Sequence, residues 1–314
     1  MKISVGLPQT GSLASVAALD AIVELAEARG AHGLWVVDRL LAPLEPRDPY
    51  PASSDGRLPA PFARTLDPLQ LLAAAAARTS RLRIGTNVLV MPWYNPVMLA
   101  RTLSTLDVLS GGRLDVGLGL GWSRDEVVAS GAAKGASSAA RTDEFVDVLR
   151  ACLRGGEVEH TGAFFAVPTA RIDLVPASVP PLFLAAFTPG AMARVARRGD
   201  GWLPSSLPFD VMMAMWAGIR QMAEAGGRDP DELRLVVRGN TSSLRTFTSP
   251  DRPPFEGDLR QLADDVRRCE DLGVHEVILD LQFTECAASL RELLGKLDEL
   301  LGRVDEYLAP PIPA

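Results

Sequence analysis

Histidine, cysteine and excess positive charge are all scarce in this chain, and each scarcity excludes a kind of chemistry. The 314 residues hold three histidines, His32, His160 and His275. His32 and His275 fall in the turns Arg29-Gly30-Ala31-His32-Gly33 and Leu272-Gly273-Val274-His275, each just before a β-branched run, and His160 lies in a separate hairpin pattern. A histidine zinc centre or a Ser–His or Cys–His pair needs its groups gathered at one place, and this scatter supplies none. The three cysteines, Cys152, Cys269 and Cys286, are odd in number and never form a C-x-x-C pair, so neither a disulfide framework nor a metal site is expected. The formal net charge of −7 argues against nucleic acid and anionic membranes as partners, because both attract a basic footprint. No apolar run approaches the roughly 18 residues that cross a bilayer. The N-terminal MKISVGLPQTG enters a strand-like run with no long leader or cleavage pattern, so a cytoplasmic location is expected. The first strand–helix turn reads PQTGS, not the G-x-G-x-x-G of dinucleotide-binding sheets.

What is present is rhythm. Short β-branched runs occur at Ile3–Leu7, Gly33–Val37, Leu82–Leu89, Leu114–Leu118, Pro181–Ala185, Gly201–Leu203, Leu233–Val237 and Glu276–Leu281. Stretches with apolar residues at three- and four-residue spacing alternate with them, at Ala14–Arg29, Pro68–Arg78, Pro96–Leu109, Thr142–Leu153, Gly190–Arg198, Val211–Ala225, Leu259–Leu272 and Leu290–Leu301. Eight strands alternating with eight helices predict an α/β fold, a (β/α)8 TIM barrel occupying residues 1–314 as one domain. An open doubly wound sheet is the alternative. Proline-rich 43–65 and polar 239–257 interrupt the rhythm after strands 2 and 7, as lids over a site or as surface decoration. Residues 155–180 look like a hairpin excursion, and 303–314 like a C-terminal tail.

In a barrel of this kind the chemistry belongs at the carboxyl ends of the strands. Those ends carry Asp38 and Arg39, Asn87 to Met91, Gly119 to Trp122, Ala186 to Thr188, Arg238 and Asn240, and Asp280 and Gln282. Acid–base groups are few and backbone, glycine and aromatic surface is plentiful, which suits a site that holds a planar cofactor and leaves the chemistry to it. No Lys or Glu stands at a strand end as a Schiff-base former or base, which disfavours a sugar-phosphate or isomerase barrel. The run Gly117-Leu118-Gly119-Leu120-Gly121-Trp122 is either a phosphate loop or a tight strand exit. Ala186-Phe187-Thr188-Pro189 places proline at the first position of a helix, whose amides suit a phosphate.

The segments LWVVDR, RIGTNVLVMPWYNPVMLARTLSTLDVLSGGRLDVGLGLGW, ARTDEFVDVLR and ARRGDGWLP together resemble the bacterial luciferase-like monooxygenase family, in particular its branch of deazaflavin (coenzyme F420)-dependent oxidoreductases. The resemblance implies a (β/α)8 barrel with a flavin-like ring against strand 3, on a bulge made by a cis peptide bond at Asn87–Val88. It implies that Asp38 hydrogen-bonds the ring. It places Gly121, Trp122 and the helix start at Asp125 along the cofactor side chain, and Ala186, Phe187 and Thr188 at its phosphate. Tyr50, Phe62, Trp93 and Tyr94 are expected to line an apolar substrate pocket, and a homodimer is the family expectation. Two departures stand out. Arg39 occupies the place where relatives often carry histidine; a guanidinium stays protonated and shuttles no proton. Either it holds an anionic substrate group or it pairs with Asp38 to order the loop. Phe187 replaces glycine at the phosphate turn, narrowing the site or weakening cofactor affinity. The leading expectation is hydride transfer between coenzyme F420 and a small, hydrophobic organic substrate, with Asp38 and Arg39 at the reacting centre. An FMN-dependent monooxygenase is the alternative, and a catalytically silent cofactor-binding or partner subunit the second.

Overall fold

A computed structural model describes residues 1–53, 55–133, 135–205, 207–249 and 251–308. Its strands are β1 Lys2–Gly6, β2 Gly33–Val36, β3 Arg83–Thr86, β4 Leu89–Val90, β5 Leu114–Gly119, β6 Gly156–Thr161, β7 Ala166–Ile172, β8 Leu182–Leu184, β9 Gly201–Trp202, β10 Arg234–Asn240 and β11 Glu276–Asp280. The helices are α1 Val16–Ala28, α2 Pro68–Ala76, α3 Pro96–Ser110, α4 Arg124–Ala129, α5 Ala139–Arg154, α6 Pro189–Arg198, α7 Phe209–Ala225, α8 Leu259–Asp271 and α9 Leu290–Leu308.

All strands except β6 and β7 pair in parallel, in the order β3-β2-β1-β11-β10-β9-β8-β5-β4, and β3 pairs back onto β5. The sheet is therefore a closed barrel of eight staves, one of them the interrupted pair β3 and β4. At the seam the Thr86 hydroxyl donates to Gly117 O and accepts from Gly117 N, both at 2.9 Å. Closure leaves no free sheet edge, which is how a parallel sheet satisfies its backbone groups. Trp35, Phe183, Leu203, Val236 and Ile278 fill the barrel interior with Val88 against them, and the larger apolar core lies between staves and helices.

Local signals agree with the elements they start and stop. Asn95 caps α3 by accepting from Val97 N and Met98 N, Pro96 occupies its first turn, and Gly111 ends it at φ 70°. Asp258 and Gln261 form a reciprocal capping box on α8. All eight expected strands and all eight expected helices are present, with ends shifted by a few residues.

Three details differ. The run expected as one strand, Leu82–Leu89, is broken between Thr86 and Leu89, where the Asn87–Val88 peptide is cis. The short helix α4 follows strand β5, and its six residues give too little periodicity to read. Helix α9 continues to Leu308 where a tail was expected from 303, because Leu301 and Val304 still bury themselves at helical spacing; residues 309–314 of that tail lie outside the described ones. The 155–180 excursion is the antiparallel hairpin β6–β7.

The histidines are structural, as their positions suggested. His32 sits 4.0 Å from buried Glu276, and burial pushes its imidazole down to about 4, so it is neutral at pH 7. His275 Nδ1 accepts from Leu235 N, and His160 pairs with Glu144. Among the described residues no group of three or more His, Cys, Asp or Glu is placed to hold a metal, and no helix is long and apolar enough to cross a membrane.

Candidate active site

Strand β2 delivers Asp38 to the barrel mouth, where it meets the segment that interrupts the third stave. Val90 N and the Tyr94 hydroxyl both donate to Asp38 Oδ2 at 3.0 Å. The two bonds share one oxygen and leave Oδ1 outside them. Burial lifts the carboxyl to about 6, against the pull of those two donors. The Tyr94 phenol is raised as well, by burial first and the Asp38 charge second. Asn87 N donates to Val36 O at 2.7 Å, and its side-chain Nδ2 is buried without a hydrogen-bond partner among the described residues.

Strand β5 closes over this segment through its glycines. A Cβ on Gly119 would come 2.5 Å from Val88 Cγ2, and one on Gly121, at φ +69°, would come 2.8 Å from Val90 Cγ1. Of the two readings of the glycine run, the packing supports the tight strand exit.

Arg39 turns away from Asp38. Its Nη2 lies 2.6 Å from Glu126 Oε2 on α4, with side chains 7% and 1% exposed. The expected Asp38–Arg39 pair does not form: Tyr94 and Val90 N already hold the aspartate, and Glu126 meets the guanidinium. Neither Arg39 Nε nor Nη2 makes an aligned hydrogen bond, so the contact with Glu126 is a close charge pair without good N–H geometry. The guanidinium lies over the Phe62 and Trp122 rings, 4.8 Å from each centre. Tyr50 packs edge-on to both rings at 5.5 Å, and Phe62 onto Phe283 at 5.2 Å.

Glu126 escaped the sequence reading. Ser123-Arg124-Asp125-Glu126 is a capping-box pattern, and Ser123 Oγ does accept from Glu126 N. The carboxylate, however, leaves the box and accepts from Leu40 N and Leu41 N at 2.8 and 3.2 Å. The pattern marks the helix start but cannot announce a partner so distant in the chain. Asp125, expected along a cofactor, accepts from Arg47 N at 2.9 Å and pairs with Arg47 Nε at 3.1 Å. In return Asp48 accepts from Arg124 N and Arg124 Nε, both at 2.8 Å. The first turn of α4 thus holds the start of the 43–65 loop.

At the expected phosphate turn, Ala186 O accepts from Trp202 Nε1 at 3.0 Å and Thr188 caps α6. Phe187 is 54% exposed.

The four expected pocket aromatics do not share one pocket. Tyr94 belongs to Asp38, Trp93 buries an unpartnered Nε1 beside it in sequence, and Phe62 covers Arg39. Only Tyr50 of the four lines the large cavity, about 920 Å³, between the loops after β1, β2, β10 and β11. Asp38, Arg39, Asn87 and Ala186 are absent from its wall, so this space adjoins the Asp38 rim without including it. Beside it Arg238 Nη2 donates to Asp280 Oδ2 at 2.6 Å, and Gln282 Nε2 donates to both Asp280 oxygens at 3.0 Å.

A closed parallel barrel with buried Asp38, Asn87, Asp280 and Gln282 at strand carboxyl ends is the frame of a barrel enzyme. The chain belongs to the luciferase-like monooxygenase family, whose family model matches residues 2–249, and it is an oxidoreductase of that family. It is 30% identical over 290 residues to an uncharacterized protein of Mycobacterium tuberculosis (strain ATCC 25618 / H37Rv), covering 88% of this chain and 92% of the relative. It is 32% identical over 187 residues to an F420-dependent glucose-6-phosphate dehydrogenase of Nocardia farcinica, covering 57% of this chain and 53% of that one. Among solved structures, the monooxygenase RslO1 from Streptomyces bottropensis superposes with a TM-score of 0.77 at 20% identity, over 98% of this chain and 100% of that one. An F420-dependent secondary alcohol dehydrogenase in complex with an F420-acetone adduct gives 0.74 at 16% identity, over 96% and 98%.

The residues at the Asp38 rim fit a flavin-like ring. Such a ring presents an edge of alternating N–H and C=O groups, and the rim offers a carboxylate oxygen outside any bond and a buried amide donor without a partner.

Proposed function

We propose that the chain is a deazaflavin (coenzyme F420)-dependent oxidoreductase that transfers a hydride to or from a small, hydrophobic organic substrate. The observation that carries this reading is that the interruption of the third stave holds both Asp38, whose Oδ1 lies outside the bonds from Val90 N and Tyr94, and Asn87, whose Nδ2 is buried without a partner among the described residues. Both would hold the ring edge, and the turn Ala186-Phe187-Thr188 the phosphate. The cofactor supplies the two-electron chemistry when bound.

The chain's own groups have the supporting work of orientation and exclusion of water. Arg39 is locked against Glu126 and Arg238 against Asp280, so neither guanidinium exchanges protons. Asp38, lifted by burial to about 6, is a rim group that changes charge close to neutral pH. Tyr50, Phe62 and Trp122 form an apolar cover beside it. A small-molecule substrate and a homodimer accompany this reading through the family resemblance.

A second reading, an FMN-dependent monooxygenase, is favoured by the fold likeness to a long-chain alkane monooxygenase, TM-score 0.71 at 14% identity. Titration of the purified protein with coenzyme F420 and with FMN, followed by calorimetry, separates the two: tighter binding of F420 is expected, and tighter FMN binding reverses the order.

A further inference from the structure

We propose, resting on the deazaflavin reading, that Tyr94 is a positioning residue for the Asp38 rim and that it sets a proton link there: the ring is taken by the ionised Asp38 carboxylate, so binding requires the loss of one proton.

The geometry comes from a single segment. Strand β4 and the turn Met91–Trp93 follow the interruption of the third stave, and this segment sends two donors to one atom. Val90 N and the Tyr94 hydroxyl each lie 3.0 Å from Asp38 Oδ2. An oxygen that accepts from two donors has little capacity left for a proton of its own. A proton on this carboxyl therefore goes to Oδ1, the oxygen outside both bonds, and turns it from an acceptor into a donor. Asn87 Nδ2, buried without a partner among the described residues, is a donor already. A ring edge of alternating N–H and C=O groups needs an acceptor beside a donor. The ionised carboxylate supplies that acceptor, whereas the protonated one sets an O–H against an N–H and leaves both unmet.

The surroundings decide when the proton leaves. Burial lifts Asp38 to about 6, and the bonds from Val90 N and Tyr94 pull against it. The charges of Asp67, which caps α2, and of Glu126 on α4 push it upward. The adjacent cation, Arg39, is paired with Glu126. The Tyr94 phenol is raised by burial and by the Asp38 charge, so it stays a donor through the neutral range. A ligand taken only by the ionised carboxylate binds in proportion to the ionised fraction, so its affinity at pH 5 is about a tenth of that at pH 8. Without the Tyr94 hydroxyl the carboxyl moves higher still. The resulting loss of affinity is largest near pH 6 and closes at pH 8, where both proteins are ionised.

5-Deazariboflavin is the probe, because its ring and ribityl chain carry no group that titrates between pH 5 and pH 8. Its Kd is followed by fluorescence across that range for the parent, Tyr94→Phe and Asp38→Asn, with circular dichroism to confirm folding. The parent is expected to weaken about tenfold from pH 8 to pH 5. Tyr94→Phe should bind up to about fivefold more weakly than the parent at pH 6 and within about twofold of it at pH 8. Asp38→Asn should show no pH dependence. Convergence at pH 8 is the signature of positioning, since a residue that merely packs the site lowers affinity equally at every pH. Should Tyr94→Phe fail to fold, 3-fluorotyrosine placed at position 94, a stronger donor, is expected to move the midpoint of the profile down. A flat parent profile, tighter binding at low pH, a Tyr94→Phe deficit that is absent at pH 6 or equal at every pH, pH dependence retained in Asp38→Asn, or a fluorotyrosine midpoint that stays or rises overturns the proposal. Binding without pH dependence leaves the deazaflavin reading standing; no binding by the parent at any pH removes that reading and the proposal with it.

Discussion

Arg39 and Glu126 form a buried charge pair 2.6 Å apart that ties the end of strand β2 to helix α4. The pair replaces the proton-shuttling imidazole that the family resemblance leads one to expect. Around it stand Phe62, Trp122 and Tyr50, so the barrel mouth is built on a fixed cation in an aromatic frame.

Glu126→Ala is expected to be severe. It strands the Arg39 charge in a buried place and removes the acceptor of Leu40 N and Leu41 N. Breaking one partner of a buried pair costs about 3–5 kcal/mol. Urea denaturation of the variant and the parent checks this, and a loss under about 1 kcal/mol contradicts it.

Asp38 carries a pH signature. Its folded pKa of about 6 lies above the ordinary 3.8, so the folded state holds the proton more tightly than the unfolded chain. This contribution to stability is full below about pH 4 and is lost as pH rises through about 6. Relative to Asp38→Asn, the parent should lose up to about 3 kcal/mol between roughly pH 4 and pH 7.5. Paired denaturation curves at the two pH values measure it; parallel behaviour would falsify the assignment.

Tyr94→Phe removes a donor that favours the charged carboxylate. The Asp38 pKa should rise further, by roughly one unit or less, followed by carbon NMR of the carboxyl. A downward shift rejects the role given to Tyr94.

Asn87→Leu separates stability from binding. The Nδ2 of Asn87 is buried and unpartnered, so its loss should leave the ligand-free protein at least as stable, within about 1 kcal/mol. Cofactor affinity should nevertheless fall roughly tenfold. Unchanged affinity would show that the amide does not serve the ring.

Asp48→Ala loosens the loop without unfolding the barrel. The Arg124 side chain it pairs with is 70% exposed, and exposed pairs contribute about 1 kcal/mol or less. Faster proteolytic cleavage within 43–65 is expected, with an unfolding midpoint close to that of the parent.

The barrel was legible because each stave and helix announces itself locally, in β-branched runs and three-to-four spacing. The cap at Asn95 and the glycine at Gly111 are likewise local signals. The site was legible only in part. Asp38 and Asn87 followed from the resemblance, and Asp38 is bound by Val90 and Tyr94, whose segment begins at Asn87, but Tyr94 read as a pocket aromatic and proves to be a hydrogen-bond donor to Asp38. Glu126 could not be read, because a carboxylate's choice between its own helix cap and a distant loop is decided by packing. Nor could the cavity, whose walls come from four loops, after β1, β2, β10 and β11, with no common pattern.

Gly119 and Gly121 leave no room for a side chain beside Val88 and Val90, whereas the cavity wall carries side chains as different as Ser243, Ala288, Phe247 and Phe283. Descendants of this chain can therefore exchange ligand preference by drift in the loops while the strand junction stays invariant. A catalyst engineer would diversify residues around Ser243 and Ala288 and hold the two glycines constant.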